Sequence, residues 1–155
     1  MGVGWNPQEV SDDELIYRRI PYSLDKSKSN YKVEDGLILV SSQAFSDRDM
    51  CPSVDRAKLC NHNPQHTQSS SGDGVVSFVC AEIRAIDDVK YSPPKDKVIQ
   101  YKIDVVWRPI GGNYAHSQIE PSPNYNSKNT FRKLREKLAY IANQKEWEIY
   151  PLDFR

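Results

Sequence analysis

The sequence predicts an α+β domain: an antiparallel sheet covered on one face by a single long C-terminal helix. Three observations lead there. KVIQYKIDVVWR (97–108) alternates, with Ile99, Tyr101, Ile103, Val105 and Trp107 on one side and Gln100, Lys102, Asp104 and Arg108 on the other, the period of a strand with one buried face. VVSFVCAEIRAI (75–86) is apolar on both faces for most of its length, as a central strand is. Within 130–143, Phe131, Leu134, Leu138 and Ile141 recur at helical spacing and form one apolar stripe. Strands first and a long helix late give α+β.

The elements follow in order. ELIYRRI (14–20) reads as a first strand closed by Pro21, with a short helix as the alternative, and 23–32 as a polar loop. GLILVSSQAF (36–45) holds a short apolar strand that frays at its serines. Ser53, after Pro52 and before VDRAKLC, fits the N-cap of a short helix with Asp55 near its positive end. Residues 61–74 are a loop by composition. DDVKYSPPKD is expected to join the strands at 75–86 and 97–108 as a hairpin. YAHSQIE (114–120) adds a further strand that Pro121 should end. The helix is capped by Asn129 or Thr130, and KEWEIYPLDF supplies a last short strand.

The 155 residues suit one domain, 1–155, large enough to bury a core without staples. Lys plus Arg equals Asp plus Glu at 21 each, so any polyanion site must be a local patch. No apolar run reaches the roughly 18 residues of a membrane span. The first residues lack the basic and apolar regions of a signal peptide. Three cysteines make an odd count, against a secreted disulfide framework. A cytoplasmic address is expected, with no membrane association.

The stretch 40–68 is densest in chemistry. Cys51, Cys60, His62 and His66 are candidate ligands for zinc, although cysteines nine apart are not the usual knuckle and a well-tied structural turn explains them too. Asp47, Arg48, Asp49, Asp55 and Arg56 make either a charged active-site loop or a loop pinned by its own ion pairs. His116 is a candidate general base, because histidine titrates near neutrality. A nuclease-like arrangement would draw on Asp73, Glu82 and Arg84. Lys128, Arg132, Lys133, Arg135 and Lys137 lie mostly off the apolar stripe, a basic face for phosphates or an acidic protein. Tyr114 and Tyr125 stand nearby to stack on bases.

Two resemblances follow from these residues. Tyr17-Arg18, Ser41-Ser42 and Gln118-Ile119-Glu120 resemble, in order, the motifs of ADP-ribosyltransferases. That likeness implies that Arg18 holds a cofactor phosphate, Ser42 supports the glutamate, and Glu120 stabilises a sugar cation. The middle motif lacks its threonine. The SSQAF and PSVDRA segments with the later AHSQI strand resemble small uncharacterised bacterial single-domain proteins, which implies a bacterial, cytoplasmic protein and carries over no catalytic residue. The leading expectation is an accessory or recognition module of a bacterial operon, binding a protein or nucleic acid through the 41–68 loop and the basic helix. The alternative is a small enzyme acting on a nucleotide or nucleic acid around the 41–56 loop, with Arg18, Ser42, Asp55, Arg56, His116 and Glu120 as its candidates. An enzyme should gather Arg18, Ser42, Asp55 and His116 in one concavity; a module should scatter them.

Overall fold

A computed structural model of the chain describes residues 6–22, 29–92, 97–125 and 127–155. It is α+β: a five-stranded antiparallel sheet with one long C-terminal helix. The sheet comprises β1 (Leu15–Ile20), β4 (Ser53–Arg56), β5 (Gly74–Val79), β8 (Lys102–Trp107) and β9 (His116–Ser122), in the order β5-β1-β4-β9-β8. Two small hairpins lie beside it: β2 (Tyr31–Glu34) with β3 (Leu37–Val40), and β6 (Lys90–Tyr91) with β7 (Ile99–Gln100). A short helix α1 (Cys80–Arg84) follows β5, and the long helix is α2 (Lys128–Ala142). No described helix is long and apolar enough to cross a membrane.

The stretch 97–108 is not one strand but is divided at Tyr101 between β7 and β8, and its alternation still sets the burial on either side of the break. Tyr101, Ile103 and Val105 are enclosed, and Phe131, Leu134 and Leu138 of α2 join them with Ile16, Val54, Phe78 and Ile119 in one core. α2 starts two residues earlier than its apolar stripe indicates. Its cap is Ser127, whose Oγ accepts from the Thr130 amide at 3.3 Å, not Asn129 or Thr130.

Several expectations are corrected. The apolar run 75–86 is not one strand. Val79 pairs with Leu15, the first residue of β1, so beyond it the ladder has no partner. There the chain turns into α1, and the Glu82 carboxylate accepts from the Val79 amide at 2.9 Å. Nor do 75–86 and 97–108 form a hairpin, for β5 and β8 are opposite edges of the sheet. The local hairpin is β6 with β7, and Pro93 and Pro94 lie outside the described residues.

Ser53 begins strand β4 instead of capping a helix, and only Ala57–Leu59 beyond it coils, into one 3-10 turn. Residues 31–32, read as loop, belong to β2. Asp35 and Gly36, with φ of 52° and 77°, form the two-residue reversal to β3, the left-handed pair that an Asp-Gly hairpin requires. Pro121 does not end β9, which continues to Ser122. Pairing with β4 stops at Gln118, so Pro121 faces a strand on the β8 side only, where a missing amide is tolerated. The 145–154 segment makes one bridge, Ile149 with Val75, and a 3-10 turn at Leu152–Phe154 in place of a strand.

Candidate active site

Residues directly opposite in an antiparallel pair share a face. Tyr17 lies opposite Asp55, and Asp55 opposite His116; Ser53 lies opposite Gln118. Ser53, Asp55 and His116 therefore project from one side of the sheet, while Val54 and Ile119 enter the core on the other. On that polar side lies a cleft of about 340 Å³. Its walls come from Arg18 and Arg19 of β1, Ser46 and Asp47 before β4, His66 to Ser69, and Asn113.

At its centre is a hydrogen-bonded pair. His116 Nδ1 lies 2.7 Å from the Arg108 carbonyl and Nε2 lies 3.1 Å from Ser53 Oγ. A carbonyl can only accept, so Nδ1 carries the proton; in the neutral ring Nε2 is the nearer acceptor for the serine hydroxyl, whose other acceptor, Asp47 Oδ2, lies at 3.4 Å. A nucleophile, a base, and a third group that fixes the base make up the arrangement that activates serine. The Arg108 carbonyl here takes the orienting place that a carboxylate fills elsewhere.

Asp55 forms a second network. Its Oδ2 accepts from Thr67 Oγ1 and its Oδ1 from Asn113 Nδ2, both at 2.8 Å. Asn113 Oδ1 accepts from the Ala115 amide at 3.2 Å and stands 2.9 Å from His66 Nε2. Asp55 is thus a buried anchor, 6% exposed, that holds one wall of the cleft. Arg18 is a second anchor. Its guanidinium donates to the carbonyls of Ala44, Ser46 and Ser53 and closes the 44–53 loop against β1. Burial lowers its pKa to about 10, with Asp47 opposing the shift, so it remains a cation at neutral pH.

Arg18, Asp55 and His116 therefore meet in one cleft. Ser42, in the 3-10 turn Ser42–Phe45, does not line it, though Ser46 and Asp47 just beyond do. Arg56 belongs to the other face of β4 and is fully buried in an ion pair with Glu14. Glu120 lies further along β9, held by Arg108 at 2.8 and 2.9 Å. Arg18, Ser42 and Glu120 consequently do not assemble as the ADP-ribosyltransferase likeness implies. Asp73, Glu82 and Arg84 do not converge either: Asp73 accepts loop amides, Glu82 caps α1, and Arg84 pairs with Asp12 and Asp104.

The four proposed zinc ligands are dispersed. Cys60 is buried with Sγ 3.4 Å from the Arg56 carbonyl, Cys51 is half-buried, His62 is exposed, and only His66 reaches the cleft. Burial pushes the thiols of Cys51 and Cys60 up to about 11, with nearby aspartates adding to it, so neither is a thiolate at neutral pH. Among the described residues, no group of three or more His, Cys, Asp or Glu is placed to hold a metal ion.

The basic helix face is largely engaged within the chain. Arg132 lies 3.9 Å from Glu136, Lys133 donates to the Lys90 carbonyl at 3.0 Å, Lys137 pairs with Asp88, and Arg135 lies over the Phe131 ring. Tyr125 packs between Tyr101 and Phe131 and is not free to stack, whereas Tyr114 is exposed beside Trp107. A larger hollow of about 490 Å³ runs along the outer side of β8. Its charged lining residues are already paired, Arg84 with Asp104 and Arg108 with Glu120 outside the hollow, and it presents no base beside a nucleophile.

The cleft members missed in the sequence include Ser53, Arg19, Thr67 and Asn113. Ser-Val-Asp at 53–55 does carry a signal: polar, apolar, polar alternation marks a strand with two polar groups on one side. Comparison of the chain with known protein families, with curated proteins and with solved structures finds no match.

Proposed function

We propose that the protein is a small hydrolase or transferase that uses Ser53 as nucleophile and His116 as its general base, acting on an ester or phosphoester of a polar small molecule such as a nucleotide. The observation that carries this reading is the Ser53–His116 contact at 3.1 Å with the imidazole fixed from behind by the Arg108 carbonyl. His116 Nε2 takes the hydroxyl proton as Ser53 Oγ attacks the electrophilic carbon or phosphorus. Arg19, part-exposed and tied only loosely to Asp73 at 3.6 Å, supplies positive charge at the cleft where the attacked group becomes more negative. The polar walls exclude a lipid-like substrate and suit one rich in hydrogen-bonding groups.

A bacterial, cytoplasmic setting belongs to the same proposal. The recognition-module reading draws less support, because its basic helix face is largely occupied by Glu136, Asp88 and the Lys90 carbonyl.

The test is covalent trapping. A fluorophosphonate should label the folded protein once, at Ser53, by peptide mass mapping. Ser53→Ala should abolish the adduct, and His116→Gln should slow it about 100-fold or more, the contribution expected of a general base. No adduct, or one on another residue, would refute the assignment.

A further inference from the structure

The cleft holds a second imidazole, one of whose nitrogens is also fixed as a donor. The Ala115 amide donates to Asn113 Oδ1 while Asn113 Nδ2 donates to Asp55. The Asn113 amide therefore cannot be turned over without setting two donors against each other and an oxygen against a carboxylate. Its Oδ1 can only accept, so the His66 Nε2 at 2.9 Å must carry a hydrogen. The other ring nitrogen, Nδ1, is left for a ligand, as an acceptor in the neutral ring and as a donor in the imidazolium. The side chain is 35% exposed, reachable from the cleft it lines, and Asp55 Oδ2 lies 4.0 Å from Nε2 as counter-charge for an imidazolium.

We infer that His66 is the general acid of this site, delivering a proton from Nδ1 to the leaving-group oxygen. The inference rests on the Ser53–His116 reading. The two histidines divide the work by their fixed nitrogens: His116 has Nδ1 tied to a carbonyl and Nε2 on Ser53, and His66 has Nε2 tied and Nδ1 left open.

The protons balance over a turnover. In the first half-reaction the bond from Ser53 Oγ to the electrophile forms, its proton passes to His116 Nε2, the bond to the leaving oxygen breaks, and that oxygen takes the proton from His66 Nδ1. In the second, water attacks the covalent intermediate and gives its proton to the now neutral His66. Ser53 Oγ then leaves with the proton held on His116. Both rings return to their starting states. Asp55 and Asn113 touch neither nucleophile nor leaving group in this scheme; they are positioning residues that hold His66.

Leaving-group dependence separates an acid from a merely structural histidine. Fluoride departs with little need of a proton, whereas phenoxide is a poorer leaving group and needs one. The rate of Ser53 labelling should be measured by intact-mass spectrometry with a fluorophosphonate and with a diphenyl phosphonate, for the wild type and for His66→Gln. The expected result is a diphenyl phosphonate rate lowered about 100-fold or more beyond any change in the fluorophosphonate rate of the same variant, the range of general-acid catalysis. The fluorophosphonate rate in the same sample also shows that the variant is folded. Equal losses with both reagents, or no loss with either, would overturn the role of His66 while leaving Ser53 and His116 in place. Failure of the wild type to label at Ser53 would instead remove the reading beneath it, and this role with it.

Discussion

Arg56 and Glu14 meet in a two-point ion pair inside the protein, with Nε 2.8 Å from Oε1 and Nη2 2.9 Å from Oε2. They are 0% and 6% exposed. The Arg56 guanidinium also reaches the carbonyls of Pro7 and Glu9 and lies over Trp107, so it ties the segment before β1 to the sheet. Its charge is committed to the fold, which is why it takes no part in the cleft on the other face of β4. Removing one partner leaves a buried charge without compensation. Glu14→Ala should therefore cost about 3–5 kcal/mol in urea unfolding, and Glu14→Gln, which keeps the shape and one acceptor, should cost less. A loss below about 1 kcal/mol for Glu14→Ala would mean that water reaches Arg56 and the pair is not a structural tie.

Gly74 begins β5 beneath Trp147. A Cβ added there would stand 2.6 Å from Cζ3 and 3.0 Å from Cε3 of the indole. Trp147 is itself held, because its Nε1 donates to the Ile38 carbonyl at 2.8 Å. The ring cannot retreat without giving up that bond. Gly74→Ala should therefore destabilise by about 1–3 kcal/mol through overpacking. In Trp147→Leu, where the ring is gone, the same substitution should cost markedly less. Additive losses in the double-mutant cycle would show that the clash is not with Trp147.

What was legible in the sequence was whatever repeats with a local period. The alternation of β8 and the stripe of α2 each depend on neighbours within a few residues; they place Tyr101, Ile103, Val105, Phe131, Leu134 and Leu138 in the core, while Ile99 and Ile141 are partly buried at its edge and Trp107 stays outside it. What was not legible depends on closure over long distances. The run 75–86 stays apolar past the end of β1, so nothing local marks where Val79 loses its partner. Adjacency in sequence suggested pairing of two strands that the topology sends to opposite edges. Asp35-Gly36 was a readable hairpin signal that the surrounding polar residues obscured. The cleft divides in the same way. Arg18, Asp55 and His116 stand out as chemistry-bearing residues on or near strands. His66 and Asn113 come from loops 47 residues apart that meet only after β4 and β9 pair.

Asp73 links pH to stability. The residue is 3% exposed, and its carboxylate accepts from the amides of Tyr22, Ser69 and Ser70, with Arg19 at 3.6 Å. Burial alone would raise its pKa; the three amides and the arginine outweigh it and hold the group below its ordinary value. A carboxyl depressed in the folded state stabilises fully above its unfolded pKa of about 3.9 and loses that contribution as pH falls through the folded value. Asp73→Asn puts an NH2 group where amides donate. It should therefore lower stability at pH 7 by about 2 kcal/mol, the scale of a hydrogen bond to a charged group. The gap from wild type should stay constant from pH 7 to about pH 5 and narrow as pH drops below about 4, read by urea unfolding at each pH. A gap that stays constant down to pH 3 would show that Asp73 contributes through shape and neutral hydrogen bonds, not through its charge.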